Sequence, residues 1–275
     1  MSAHTEITIR TARESDAPAL LNIYAPYIVN TAITFEYTVP STEEFAGRIR
    51  RTLQKYPYLV AEQQNKILGY AYAGPFHERA AYDWAVETSI YVDQTQRHTG
   101  IGRLLHDALE HTLQAQGILN MNACIACTSK EDPHLDNNSI EFHTHMGYRL
   151  VGEFYQCGYK FHTWYNMVWM EKQIGEHRKD QPVPLTFKEL LESCRQQDKK
   201  STSSEVLKKQ GYKDSNLEMT ESESVALPFG DSPSFIRLRF LFLIARDECY
   251  YITVFQKNQP LFLIFFIFFL TLLFM

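Results

Sequence analysis

Residues 7–12 (Ile-Thr-Ile-Arg-Thr-Ala) alternate apolar and polar side chains, as a strand with one buried face does. The period then changes. Leu20, Leu21, Ile23, Tyr24 and Tyr27 recur at helical spacing after Ser15-Asp16, with Pro18 in the first turn, so a helix capped by that pair is predicted. Ser41-x-x-Glu44 has the form of a capping box and opens a second helix to about Lys55. Residues 58–61 and 67–73, either side of Gln64-Asn65-Lys66, read as a hairpin that ends at Gly74-Pro75. A strand over 84–92 leads into two glycines. Ile101, Leu104, Leu105, Ala108, Leu109 and Leu113 then mark a helix ended by Gly117, the residue best suited to a left-handed C-terminal cap. A strand at 121–127, a short helix at about 139–145 and strands near 150–157 and 165–172 complete the pattern. The order β-α-α-β-β-β-α-β-α-β-β predicts one α/β domain of roughly 170 residues, a usual size for a single core.

Beyond Lys172 the pattern dissolves. The sequence divides into a domain at 1–175, a polar linker at 176–234 with one helix near 185–194, and an apolar extension at 235–275. The last 15 residues, 261–275, are apolar or Thr without interruption. That is short of the ~20 residues a membrane span needs, and Lys257 and Pro260 stand directly before it. Three readings apply: a membrane anchor, a packed extension, or a segment with no evolved role. The third is the expectation, because the chemistry argued below asks nothing of the tail.

Composition narrows the function. A net charge of −5 with no long basic run argues against a nucleic-acid partner. Five cysteines and no secretory leader suggest reduced thiols and a cytoplasmic protein. Cys124-x-x-Cys127 sits in an apolar extended run without a second pair, so two buried structural thiols are expected rather than a metal site. His143 and His145, two apart on a predicted helix, point different ways and make a poor ligand pair.

The candidate chemistry centres on Arg97-His98-Thr99-Gly100-Ile101-Gly102-Arg103. A strand that turns through glycines into a helix leaves unpaired N–H groups at the helix N-terminus, where they and the macrodipole favour a pyrophosphate. Arg97 and Arg103 add positive charge. A dinucleotide-binding fingerprint would need a third glycine where Leu105 stands and an acid about 20 residues on, where 121–124 has none. A nucleotide cofactor on another fold is the reading that remains.

The strand followed by Arg-x-x-Gly-x-Gly, in this order of elements, resembles the GNAT N-acetyltransferases. Tyr82-Asp83-Trp84-Ala85-Val86-Glu87-Thr88-Ser89-Ile90-Tyr91-Val92 is similar to the phosphinothricin N-acetyltransferase branch. So are Ala73-Gly74-Pro75-Phe76, Phe142-His143 before Gly147-Tyr148, and Gly158-Tyr159-Lys160 with Trp164. The resemblance runs from about Ile7 to Lys172. It implies an α/β (α+β) GNAT fold, a central mixed twisted sheet flanked by helices, with acetyl-CoA as acetyl donor and no metal. It implies Glu87 as general base and His143 as a helix histidine at the reaction centre. Ile90, Tyr91 and Val92 would lie along the acetyl and pantetheine arm, and Arg97, His98, Thr99, Gly100, Ile101, Gly102 and Arg103 would hold the pyrophosphate. Phe35, Arg79, Ala80, Ala81 and Tyr82 would shape the acceptor pocket. Many relatives carry Asn where Asp136 stands here, so its cofactor contact passes to Asp136 or to a neighbour such as Asn138. Asn166 likewise replaces a common Asp.

The implied acceptor is a small amino-acid-like primary amine, of the phosphinothricin, methionine sulfoximine or methionine sulfone type, with Arg79 and Lys160 as candidate anion partners. The rival readings are acetylation of a protein N-terminus or an aminoglycoside, and a non-catalytic acetyl-CoA-binding module. Relatives of this kind suggest a homodimer. Direct attack by an amine needs a base to take its proton, and a carboxylate on an apolar strand has its pKa raised toward that task.

Overall fold

The computed structural model describes residues 7–196 and two short strands at Leu241–Ala245 and Glu248–Ile252. In chain order the elements are β1 (Thr8–Thr11), α1 (Ala17–Asn30), α2 (Thr42–Lys55), β2 (Tyr58–Gln63), β3 (Lys66–Pro75), β4 (Ala85–Val92) and α3 (Ile101–Gln116). They continue with β5 (Asn120–Cys127), α4 (Asn138–His145), β6 (Arg149–Lys160), β7 (Thr163–Gln173), α5 (187–196), β8 (Leu241–Ala245) and β9 (Glu248–Ile252). The sheet runs β6-β7-β5-β4-β3-β2-β1-β9-β8. All neighbours are antiparallel except β4 and β5.

Strand alternation divides the apolar residues between two layers. Val86, Ala71, Ala73, Met121 and Ala123 face α3, whose Ile101, Leu105, Ala108, Leu109 and Leu113 cover them. Tyr58, Val60 and Tyr70 face the other way, under Leu20, Tyr24, Phe45 and Ile49 of α1 and α2. The Ser41 hydroxyl accepts from Glu44 N–H at 3.1 Å, as its sequence pattern predicts. The cap expected of Ser15-Asp16 takes another form. The Asp16 carboxylate accepts from buried Arg10 at 2.7 and 3.0 Å and from Arg13 N–H, so it closes the short turn before α1 instead of capping the helix. A buried guanidinium demands its partners more strongly than an exposed helix end does.

Packing continues past residue 175. Phe187 is fully buried and Leu190 nearly so. The carbonyls of Pro182 and Leu185 accept from Trp84 Nε1 and Gln116 Nε2 at 2.7 and 2.8 Å. The predicted helix near 185–194 is α5. The rest of the polar segment from 197, and the apolar run at 261–275, lie outside the described residues.

Candidate active site

β4 and β5 pair in parallel only at Ala85↔Asn120, Val86↔Met121 and Glu87↔Asn122, although β4 continues to Val92 and β5 to Cys127. The last joined rung is pinned. Asn122 Nδ2 donates to Val86 O at 3.1 Å, and Thr88 Oγ1 donates to Asn122 O at 3.2 Å. Beyond it the strands part. The opening is lined by residues 88–91 of β4 and 123–126 of β5, closed off by Ile33, Leu135, Asp136, Ser139 and His143. β4 stays paired with β3 on its far side. Its inner edge therefore presents main-chain amides to an extended, amide-bearing arm, as an open sheet edge does.

The same strand delivers the chain to α3. Gly100 is left-handed at φ +88°, and His98 before it stands at φ +61°. Leu104 N–H makes the first helical bond, to Gly100 O, which leaves Ile101, Gly102 and Arg103 N–H without intrahelical partners. Three donors at a helix N-terminus fit a pyrophosphate. Arg97 sits over the Tyr27 ring and reaches Asp136 Oδ2 at 3.6 Å, while Tyr27 O–H holds the end of β4 through Val92 O at 2.6 Å. Asp136 also takes the Asn138 side-chain amide at 2.7 Å. Asp136 thus ties Arg97 of the loop to the start of α4, and Asn138 is held by Asp136. The Tyr91 ring packs among Tyr24, Tyr27 and Tyr70.

The two faces of the opening carry different groups. Alternation puts Glu87 and Ser89 on the α1/α2 face. Burial raises the Glu87 carboxyl above its ordinary range, and the charge of His77 opposes the rise. Cys124 shares those surroundings: crowding by the protein around it, then the Glu87 charge, push its thiol up to about 12, although its side chain stays open to solvent. Two buried thiols were expected here. Cys127 is buried, but Cys124 is exposed, because the parting of the strands removes the neighbour that would cover it. On the opposite face lies His143, buried, with its pKa lowered to about 4 by burial. His143 Nδ1 bonds Ser139 O at 2.7 Å. A carbonyl only accepts, so Nδ1 carries the proton and Nε2 is left as an acceptor.

The acceptor residues inferred from the sequence do not form one group. Phe35 is half-buried, with its ring 6.4 Å from that of Tyr165, over Gly158, where a Cβ would come within 2.3 Å of the Phe35 ring. Lys160 is buried and donates to Thr31 O and Thr34 O at 2.8 and 2.7 Å. It fastens the loop that carries Phe35, and its ammonium is committed to those carbonyls. Tyr37 O–H donates to Tyr159 O beside it. Arg79 is exposed at the start of a turn formed by Ala80–Tyr82. Ala81 and Tyr82 line a separate shallow depression with Trp84, Asn120, His177 and Arg178. Tyr82 also packs on Phe76 and His77, with centroids 5.9 and 4.9 Å apart.

Sequence reasoning missed Thr88, Ser89, Ser139, Leu135 and the inner residues of β5. Thr88 and Ser89 carried a signal, since they continue the strand from Glu87. The β5 residues carried none, because their exposure comes from a divergence of strands that no local pattern encodes. Among the described residues no group of three metal-binding side chains exists, and no helix is long and apolar enough to cross a membrane.

Residues 9–169 match the family described as Acetyltransferase (GNAT) domain. Phosphinothricin N-acetyltransferase of Streptomyces viridochromogenes is 31% identical over 181 residues, covering 66% of this chain and 95% of that protein. An L-methionine sulfoximine/L-methionine sulfone acetyltransferase of Pseudomonas aeruginosa is 33% identical over 62% of this chain and 96% of its own. The crystal structure of a GNAT superfamily phosphinothricin acetyltransferase from Sinorhizobium meliloti in complex with AcCoA superposes with a TM-score of 0.58 at 30% identity, over 66% of this chain and 98% of that one. With a mixed sheet flanked by helices, a parted β4–β5 pair and an anion-ready α3, the chain belongs to the GNAT acetyltransferases and is an acetyl-CoA-dependent N-acetyltransferase of the phosphinothricin acetyltransferase kind.

Proposed function

We propose that this enzyme acetylates the primary amine of a small amino-acid-like acceptor, with Glu87 as general base. One observation carries the reading. Glu87 is the last residue before β4 and β5 part, on the face opposite α3, and burial raises its carboxyl. The residues that fit acetyl-CoA, the inner edge of β4 and the start of α3, lie beside and beyond the same rung. Acetyl-CoA supplies an activated thioester. The amine then arrives from the α1/α2 side, where Glu87 takes one of its protons; the freed lone pair forms the C–N bond at the acetyl carbon, the C–S bond breaks, and the departing CoA thiolate takes up the amine's second proton. Unpaired N–H groups at the inner edge of β4 are suited to charge that develops on the carbonyl oxygen. His143 is neutral near pH 7, and its Nε2 offers an acceptor on the α3 face of the opening.

The compounds named for the relatives, phosphinothricin, methionine sulfoximine and methionine sulfone, are the first acceptors to try. Thiol release from acetyl-CoA by the full chain is followed against these three, plain amino acids, an aminoglycoside and short peptides. Saturable release with the first three, lost in Glu87→Gln, is the expected result. Release only with peptides or aminoglycosides sinks the acceptor class. Tight acetyl-CoA binding without release for any amine supports a non-catalytic binding module instead.

A further inference from the structure

Between the end of α1 and the start of α2 the chain makes an irregular crossing, residues 31–41, and part of it lies over the opening between β4 and β5. Ile33 lines that opening. Glu87 pairs with Asn122, so Asn122, Cys124 and Ala126 share the Glu87 face of the sheet. On that face Ala32, Ile33 and Phe35 pack with Ala126, Leu135 and Tyr165 in a small apolar cluster, separate from the two main layers. Ala126 stands roughly 13 Å along β5 from the Glu87 rung. The crossing is therefore a strap over the parted end of the strands, on the side from which the amine comes.

A buried segment without regular structure must find partners elsewhere for its main-chain groups. Ala32 N–H donates to His134 O at 2.9 Å, and Thr31 Oγ1 donates to Tyr27 O at 2.6 Å. The carbonyls of Thr31 and Thr34 are both met by one side chain, Lys160, whose Nζ donates to them at 2.8 and 2.7 Å. Lys160 ends β6 and is only 3% exposed, with the Phe161 ring 5.2 Å from its Nζ. Burying an ammonium is costly; burial lowers the Lys160 pKa, and the charge of Glu36 opposes the fall. Glu36 is itself held by Arg48 at 2.7 Å, and among the described residues Lys160 forms no ion pair. What the ammonium supplies, and an apolar side chain could not, is a pair of donors that fix the strap to the β6–β7 hairpin. Its two predecessors hold other points of the same strap. Tyr159 O accepts from Tyr37 O–H, and Gly158 leaves the room that Phe35 fills.

We infer that Lys160 is a positioning residue for acceptor binding: by fastening Thr31 and Thr34 it sets Ile33 and Phe35 over the Glu87 side of the opening. It acts through the strap and touches neither reactant. The inference rests on the function proposed above, which brings the amine to that face, and adds the device that closes the far end of its site. Acetyl-CoA is served by the inner edge of β4 and the start of α3, so the strap bears chiefly on the acceptor.

The full chain is assayed by thiol release, with phosphinothricin and methionine sulfone each varied at saturating acetyl-CoA, and acetyl-CoA then varied in turn. Lys160→Met keeps the aliphatic stem and removes the donors. It is expected to raise the acceptor KM about tenfold, with kcat and the acetyl-CoA KM within about twofold of wild type. Lys160→Arg returns donors to the two carbonyls and is expected to bring the acceptor KM back within about threefold of wild type. Tyr37→Phe, an exposed change that leaves the core intact, is expected to raise the acceptor KM about threefold, and it decides the matter if Lys160→Met does not fold. An acceptor KM unchanged in Lys160→Met, or in Tyr37→Phe where the former does not fold, overturns the assignment and spares the proposed function. Acceptor and acetyl-CoA KM values that rise together, or an Arg variant no better than the Met variant, make Lys160 structural only and overturn it as well. A wild-type chain with no turnover for any amine overturns the proposed function and this inference together.

Discussion

At the scale of a residue, Glu87 sets chemistry against stability. Burial raises its carboxyl in the folded chain relative to the unfolded one, so ionisation costs folding free energy. The sign follows from the raised value: below the unfolded carboxylate pKa the residue is protonated in both states and the cost is absent, and it appears as pH rises through the folded value. Glu87→Gln is therefore expected to abolish turnover and to melt higher than wild type at pH 7–8, with the difference gone near pH 3. A thermal melt series across pH checks it, and a melting point unchanged at neutral pH would mean that Glu87 is solvated. Gly158 is the second residue where a few atoms decide much. A Cβ there would stand 2.3 Å from the Phe35 ring, so Gly158→Ala must expel Phe35 or shift β6, at about 1–3 kcal/mol. The expected result is a raised acceptor KM with an unchanged acetyl-CoA KM. Gly158, Tyr159 and Lys160 were legible as a family motif. That the glycine makes room for Phe35, 123 positions earlier, was not, because such a contact has no local pattern.

At the scale of an element, the legible parts were those whose causes are local. The Ser41 cap, the Gly117 terminus and the two-glycine entry to α3 each follow from a residue's own conformational preference, and each stands within a residue or two of its expected place. The fork between β4 and β5 is different. Val86 and Met121 pair while Ile90 and Ile125 do not, and nothing in either strand announces the change. The residues named for the acceptor pocket lie apart for the same reason: Tyr82 is four residues from Val86 but turns toward His177 and Arg178, while Phe35 stands over Gly158. Gly100 tests the element that sequence did reveal. It holds φ +88° with open space around the missing Cβ, so Gly100→Ala meets no clash and pays only backbone strain, about 1 kcal/mol. If the three free N–H groups of α3 hold the pyrophosphate, that strain appears as a weaker acetyl-CoA complex, roughly fivefold in KM, with acceptor KM unchanged. Titration calorimetry with CoA reads the same quantity without turnover.

At the scale of the whole molecule, the boundary of the folded unit has consequences that the hydropathy pattern hid. Residues 173–196 are polar on average and leave Val183 and Leu185 exposed, yet two of their apolar side chains are spent inside: Phe187 and Leu190 are buried, and Trp84 Nε1, three residues before Glu87, is fixed by Pro182 O at 2.7 Å. Average polarity reported the exposed face and concealed the buried one. A chain ended at 175 loses both buried side chains and leaves Gln116 Nε2 without its Leu185 acceptor, although Lys55 O remains at 2.9 Å. Burial of one Phe and one Leu is worth about 3–6 kcal/mol as an upper figure, a large share of a domain's total stability. A chain ended at 196 keeps those contacts and every residue assigned to the site. The two truncations should therefore separate: the 1–196 chain retains thiol release, and the 1–175 chain melts far lower and loses turnover as β4 loosens at Trp84. Equal activity in both would place the folded boundary at 175 and leave the α5 contacts without weight. Loss in both would instead make β9, which pairs with β1 at Ile9 and Arg10, part of the working fold.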